Sequence, residues 1–199
     1  MRPIVEFPIA YFITTVTKDR RRLFSDVRLA YRFATMIRLA CQTKGFTLLG
    51  FCILPDHAHL LVIRQGILER MPWAQGGEAI DFSLLNVDAT FSRAPLETAR
   101  RKARKGGERL SSPHTKGALS RAPGSLGDLM RSMKGTFSRA MMSGHVWQRR
   151  YHLRHVVNGE DLLNVVNYIQ YNYRKHDMSE SYGREPYVWL NKSILKRML

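Results

Sequence analysis

Apolar positions along the chain recur with two different periods, and each period predicts a different element. Ile9 to Thr17 (IAYFITTVT) is dense in aromatic and β-branched residues, as a buried strand is. Asp26 to Lys44 instead repeats apolar residues at steps of three and four (Leu29, Phe33, Met36, Ile37, Ala40, Cys41), which predicts an amphipathic helix. Gly45 stands where a C-terminal cap of that helix belongs. Phe46 to Leu54 (FTLLGFCIL) reads as a second strand, Pro55-Asp56 as a tight break, and His57 to Arg64 (HAHLLVIR) as a third strand. Strand, helix, strand, strand in this order predicts an antiparallel α+β layer.

The periodicity stops at about Gln65 and does not return before Pro123. Glycines recur through this stretch without a period, and Arg100, Arg101, Lys102, Arg104 and Lys105 form a basic cluster in it. So long a stretch without an element is uncommon inside a compact domain, so residues 66–124 are expected to be a flexible basic insertion within a single domain spanning 1–199. Order resumes at Ser125, where Ser-x-x-Asp (Ser125, Asp128) opens the apolar series Leu126, Leu129, Met130, Met133, Phe137 and Met141, a capped helix ending by Gly144. Val146 to Val157 is expected to be a loop followed by a short strand. Gly159 to Lys175 is expected to be a helix striped by Leu162, Val165, Val166 and Ile169, and Tyr187 to Leu199 an accessory element with a basic end.

Charge narrows the choice of partner. Lys and Arg number 32 against 16 Asp and Glu in 199 residues, a formal net charge of +16, while 44% hydrophobic residues suffice for a packed core. That combination points to a polyanion, nucleic acid first. No run of about 18 apolar residues exists to span a membrane, and MRPIVEFPIAYF lacks the layout of a signal peptide. Two cysteines, Cys41 and Cys52, are too few for a zinc knuckle or a disulfide framework, and a cytoplasmic location is expected.

Two groups of residues carry the candidate chemistry. On a strand His57 and His59 point to the same face, so both imidazoles can bind one divalent metal. Their apolar surroundings mark the strand as central, where two histidines on one face are rarely accidental. On the last long helix Tyr168 and Asn172 are i and i+4, stacked on one face beside the stripe that meets the sheet. An amide oxygen there can complete a metal site. A phenol beside it can act as a nucleophile once activated, since its free pKa is about 10. Tyr171 and Tyr173 compete with Tyr168 for that role.

FCILPDHAHLLVI, read with four other segments, resembles the single-tyrosine HUH transposases, and within them the REP-associated tyrosine transposases, a group of small insertion-sequence transposases. Their corresponding stretch is apolar-apolar-Leu-Pro-[Asp/Glu]-His-x-His-apolar. YFITTVTKDRRRLF is similar to the family's opening strand and basic turn, LGDLMRSMKGTFSR to its helix before the last strand, VWQRRY to its Trp-Gln-x-x-[Phe/Tyr], and NYIQYNYRKH to its Tyr-Ile-x-x-Asn-Pro helix end. The resemblance covers residues 9 to 64 and 125 to 177. It implies a ferredoxin-like or RRM-like antiparallel sheet with helices packed on it, the HUH endonuclease fold. It also implies that His57, His59 and Asn172 are ligands of Mg²⁺ or Mn²⁺ and that Tyr168 is the nucleophile. The implied reaction cleaves and rejoins single-stranded or hairpin DNA through a 5′-phosphotyrosyl intermediate, and relatives that share a site across two subunits leave a homodimer open. The chain departs from the pattern in having Tyr173 where the family has Pro, and in having His152, Leu153, Arg154 and His155 where it often has an acid.

Arg20, Arg21, Arg22, Lys134, Arg149 and Arg150 are the expected DNA contacts within the matched segments, since like charges gather there without acidic partners. Trp147 beside them is a candidate either for base stacking or for the core. Two other readings stay open at this point: a basic nucleic-acid-binding protein of the same fold that has lost catalysis, and a hydrolase that uses His57 and His59 with water as its nucleophile.

Overall fold

The computed structural model describes residues 10–69, 124–142 and 144–199, which belong to one compact unit. Most of the expected insertion, residues 70–123 with the Arg100–Lys105 cluster, lies outside the described residues. Its expected start does not: the chain leaves the third strand directly into a helical turn, Gln65–Leu68.

Five antiparallel strands make one sheet: β1 (Ala10–Val16), β2 (Phe46–Leu54), β3 (His57–Arg64), β4 (His152–Val156) and β5 (Val188–Leu190), in the order β4-β1-β3-β2-β5. The first four carry the α+β arrangement expected, and β5 extends it along β2. Among the described residues five α-helices accompany the strands: α1 (Val27–Lys44), α2 (Gln65–Leu68), α3 (Leu126–Ala140), α4 (Gly159–Lys175) and α5 (Lys192–Met198). Their ends follow local chemistry. Asp26 caps α1 by accepting from the Arg28 amide, and Gly45, at φ 70°, takes the left-handed conformation that closes it. Ser125 and Asp128 form the reciprocal capping box that opens α3. Asn158 caps α4 through the Asp161 amide.

All nine residues of β2 are buried, which requires cover on both faces of the sheet. On one face Ile13, Phe51, Ile53, Ala58, Leu60 and Val62 join a core with the apolar sides of α1 and α3. The alternate residues point the other way, toward α4. Gly50 makes that cover possible at the β2 edge, where a Cβ would stand 2.6 Å from a Leu190 methyl and 3.1 Å from the Trp189 carbonyl oxygen. Trp147 belongs to the first core: it is 8% exposed and packs with Phe24, Phe33 and Phe137 at ring separations of 4.9 to 5.9 Å. It is therefore not an exposed base-stacking surface.

Candidate active site

Strand pairing brings the two histidines under α4. The β1–β3 register sets Thr14 opposite His59 and Val16 opposite His57, while the β2–β3 register sets Cys52 opposite His59. Period two then places Phe12, Thr14, Cys52, His57 and His59 on the face opposite the aromatic core. The imidazoles stand 5.0 Å apart, centre to centre, at 89°, and both are buried.

Each ring is held through Nδ1. For His57 the partner is the Asp56 carboxylate at 2.6 Å, and for His59 the Thr14 hydroxyl at 2.8 Å. That leaves both Nε2 atoms as the nitrogens available for other chemistry, the arrangement that fixes metal-binding imidazoles in general. Burial, helped by the neighbouring His57, His176 and Lys175, pushes the His59 pKa down to about 3, so the ring is neutral at physiological pH. Burial opposes ionisation of Asp56, but His57 and Arg20 together hold its carboxyl below the ordinary value.

Helix α4 supplies the other two expected residues. Tyr168 sits in the middle of the helix with its hydroxyl oxygen 3.4 Å from His59 Nε2, and its ring meets His59 and Phe12 edge to face. Burial and the nearby Cys52 thiol raise its pKa, while the Asn172 amide pulls the other way. Asn172 is 1% exposed. Its Nδ2 donates to Cys52 Sγ at 3.6 Å, and its Oδ1 is buried without a partner among the described residues. Tyr173, where the family pattern has proline, lets α4 run on to Lys175.

The competing tyrosines are placed elsewhere. Tyr171 is exposed with the Arg174 guanidinium over its ring. Tyr173 is buried and donates its hydroxyl to Glu180 at 2.5 Å. Neither meets a histidine of the site, so Tyr168 alone of the three does.

Among the described residues no group of three or more His, Cys, Asp or Glu is arranged to hold a metal. The set on hand is two imidazole nitrogens and an amide oxygen. A buried amide oxygen with no partner is costly unless something fills its lone pairs. These donors fit a divalent ion that takes nitrogen and oxygen, Mn²⁺ or Mg²⁺.

The expected DNA contacts divide into two groups. Arg20, Arg21 and Arg22 follow β1, with Asp19 and Arg20 in left-handed backbone at φ 56° and 50°. Arg20 bonds the Asp56 carboxylate at 3.1 Å, Arg21 bonds the His145 carbonyl at 2.7 Å, and Arg22 is exposed. Arg149 and Arg150 are also exposed. Lys134 is held differently. Its Nζ donates to the Gln148 carbonyl at 2.6 Å while its own carbonyl accepts from the Trp147 indole at 3.2 Å, so it pins the segment before β4. Burial lowers its pKa. His176 was not among the expected residues, yet its ring stands 5.4 Å from that of His57. Asp56, Thr14 and Cys52 were likewise not singled out; the alternation along β1 and β2 was the available signal for the last two.

Residues 6–68 match the family model described as transposase IS200 like, a segment that includes β1, α1, β2 and β3 with both histidines. The similarity is to transposases. A protein of Haemophilus influenzae, assigned by name as a REP-associated tyrosine transposase, is 24% identical over 184 residues, 92% of this chain and 81% of that one. A solved structure of a REP-associated tyrosine transposase bound to a REP hairpin matches in fold with a TM-score of 0.55 at 15% identity, covering 100% of this chain and 86% of that one. The fold is the one that the motifs predicted, and the similarity runs to the family they resemble, whose members matched here are named as transposases. Tyr168 and Asn172 lie beyond the matched segment. Among the described residues no helix is long and apolar enough to cross a membrane.

Proposed function

We propose that this chain is a transposase that cleaves and rejoins single-stranded or hairpin DNA, with Tyr168 as nucleophile. The observation that carries the reading is the approach of the Tyr168 hydroxyl to His59 Nε2, 3.4 Å, from elements that share no local sequence. Attack forms a bond between the phenolic oxygen and phosphorus and breaks the bond from phosphorus to the 3′-oxygen. The phenol's proton passes to water, and the departing 3′-oxygen takes one from water. The 5′-phosphotyrosine conserves the bond energy, so the reverse attack by a 3′-hydroxyl rejoins a strand without ATP.

His57, His59 and Asn172 would hold a divalent metal ion, Mg²⁺ or Mn²⁺, which draws charge from the phosphate oxygens. The chain's own residues prepare the site. Asp56 and Thr14 fix the ring planes of the histidines, and Phe12 packs against both His59 and Tyr168. Burial keeps His59 unprotonated and thus able to donate a lone pair. Lys175, with Nζ 5.4 Å from the centre of the Tyr168 ring, favours a phenolate as attack develops. The charge of +16 and the exposed Arg22, Arg149 and Arg150 supply contacts to the DNA backbone, and the hairpin bound by the structural relative supplies the first substrate to try.

Incubation with labelled hairpin DNA and Mn²⁺ or Mg²⁺, followed by a denaturing gel, tests this reading. A covalent band is expected from the native chain and none from Tyr168→Phe. Cleavage without a covalent band would point to water as the nucleophile, and salt-sensitive binding alone to a protein that has lost catalysis.

A further inference from the structure

An open cleft of about 320 Å³ lies at the end of the sheet, where Arg20, Arg22, Asp56, His57, His176 and Met178 contribute to its lining. Tyr168 and His59 do not line it. The rings instead form a series leading toward it: Tyr168 to His59 5.2 Å, His59 to His57 5.0 Å, His57 to His176 5.4 Å. Tyr168 on α4 and His176, the residue that follows the helix, stand eight residues apart, about 12 Å at the helical rise. Tyr168 thus marks one end of this series and the cleft the other.

The cleft is built to meet an anion. Asp56 is its acid, and Arg20 and His57 already engage that carboxylate. Arg22 adds a second guanidinium, exposed and without a partner among the described residues. Asp19 and Arg20 hold consecutive left-handed backbone conformations, which cost energy for residues with a Cβ and place the Arg20 side chain at the mouth. Such strain gathers where a turn has a task.

In phosphoryl transfer the attacking and leaving oxygens lie on opposite sides of phosphorus. With Tyr168 attacking from its end of the series, the 3′-oxygen departs toward the other end. We infer that the cleft holds the strand that leaves with the free 3′-hydroxyl, taking the backbone phosphates just upstream of the scissile bond on Arg20, Arg22 and His176. This rests on the tyrosine chemistry proposed above and assigns the polarity of the DNA across the site. Retention of that strand keeps the 3′-hydroxyl beside the phosphotyrosine, which favours rejoining over its loss to solution.

Rejoining from an isolated covalent complex tests the cleft apart from the first cleavage. The complex formed on hairpin DNA is purified and mixed with increasing amounts of the 5′-labelled upstream product strand. Arg22→Ala and His176→Ala are each expected to raise the strand concentration for half-maximal rejoining about tenfold, the effect of losing one charge-assisted contact. Arg22→Lys is expected to recover most of it, and Arg131→Ala, on α3, to behave as the native chain does. A 4-thiothymidine two nucleotides upstream of the scissile phosphate is expected to cross-link to the peptides that hold Arg22 or His176, and one two nucleotides downstream is not. Unchanged rejoining in both alanine variants, or cross-linking from the downstream probe alone, overturns the inference and leaves the nucleophile standing. Failure of the native chain to form any covalent complex overturns both.

Discussion

The two faces of the sheet are built from the same strands and have opposite chemistry. On one, Phe24, Phe33, Phe137 and Trp147 meet ring against ring among the side chains of α1 and α3. On the other, His57, His59 and Cys52 are buried beneath α4 together with Asn172 on that helix, with a phenol at their margin. The first face is what a 44% hydrophobic chain is expected to make. The second is not, because each buried imidazole or amide needs a partner that a leucine would not. Burial alone therefore does not separate scaffold from site; burial together with unfilled polar atoms does.

The widest gap between the faces should appear on truncating Phe33, which is fully buried, stacks on Phe24 at 5.0 Å and meets Trp147 in a tilted contact at 4.9 Å. Phe33→Ala is expected to cost about 3–5 kcal/mol, read from urea unfolding. A loss below about 1 kcal/mol would mean that the aromatic cluster is not the scaffold described here.

Acid should act on the other face. The ordinary histidine pKa near 6.5 falls to about 3 for His59 in the folded chain. Between those values the unfolded chain binds a proton there that the folded chain refuses. The stability due to a neutral His59 is thus complete above pH 6.5 and is lost as pH falls toward 3. For the metal-free protein the slope reaches about 1.4 kcal/mol per pH unit. His59→Gln is expected to flatten that part of the profile, measured by denaturant unfolding at each pH. An unaltered profile would place the acid sensitivity elsewhere.

Most of the scaffold was legible before any coordinates. β2, β3 and α4 begin and end where their apolar periods do, and Gly45, Ser125 and Asp128 act as the caps their positions suggest. Local sequence determines these features, so local reading reached them. His57, His59, Tyr168 and Asn172 were also within reach, since period two and the i, i+4 spacing each define one face of one element. Which residues meet across elements was not. Asp56 and Thr14 on the imidazole nitrogens, Cys52 under Asn172, and His176 beside His57 follow from sheet register and from the seating of α4. β5 was hidden for a similar reason: three residues carry no period, and they pair only because Gly50 lets them approach.

Lys134 sharpens the same contrast on a smaller scale, because charge by itself groups it with Arg149 and Arg150. Its ammonium is spent on the Gln148 carbonyl. Lys134→Ala is expected to lower stability by about 1 kcal/mol and to leave the salt dependence of single-stranded DNA binding unchanged. Arg149→Ala and Arg150→Ala are expected to leave stability alone and to flatten the log–log salt slope by roughly 0.7 each. Titrations of binding at several salt concentrations separate the two patterns. A slope that falls equally for all three would return Lys134 to the DNA interface.

A small expected change in stability at a fully buried position tests the idea most closely. Asn172 is as buried as the phenylalanines, but among the described residues its amide donates to a thiol at 3.6 Å and its carbonyl oxygen meets no donor. Leucine is of similar size and leaves no polar atom unfilled. Asn172→Leu is therefore expected to shift unfolding by less than about 1 kcal/mol in either direction, while Mn²⁺ binding measured by calorimetry weakens at least tenfold. A loss of several kcal/mol would show that the amide belongs to the scaffold after all. Unchanged metal binding would remove it from the ligand set, leaving His57 and His59 to be completed from elsewhere. A buried group that costs little to remove from the fold but much to remove from the metal is held in place for chemistry, and that asymmetry separates this face of the sheet from the other.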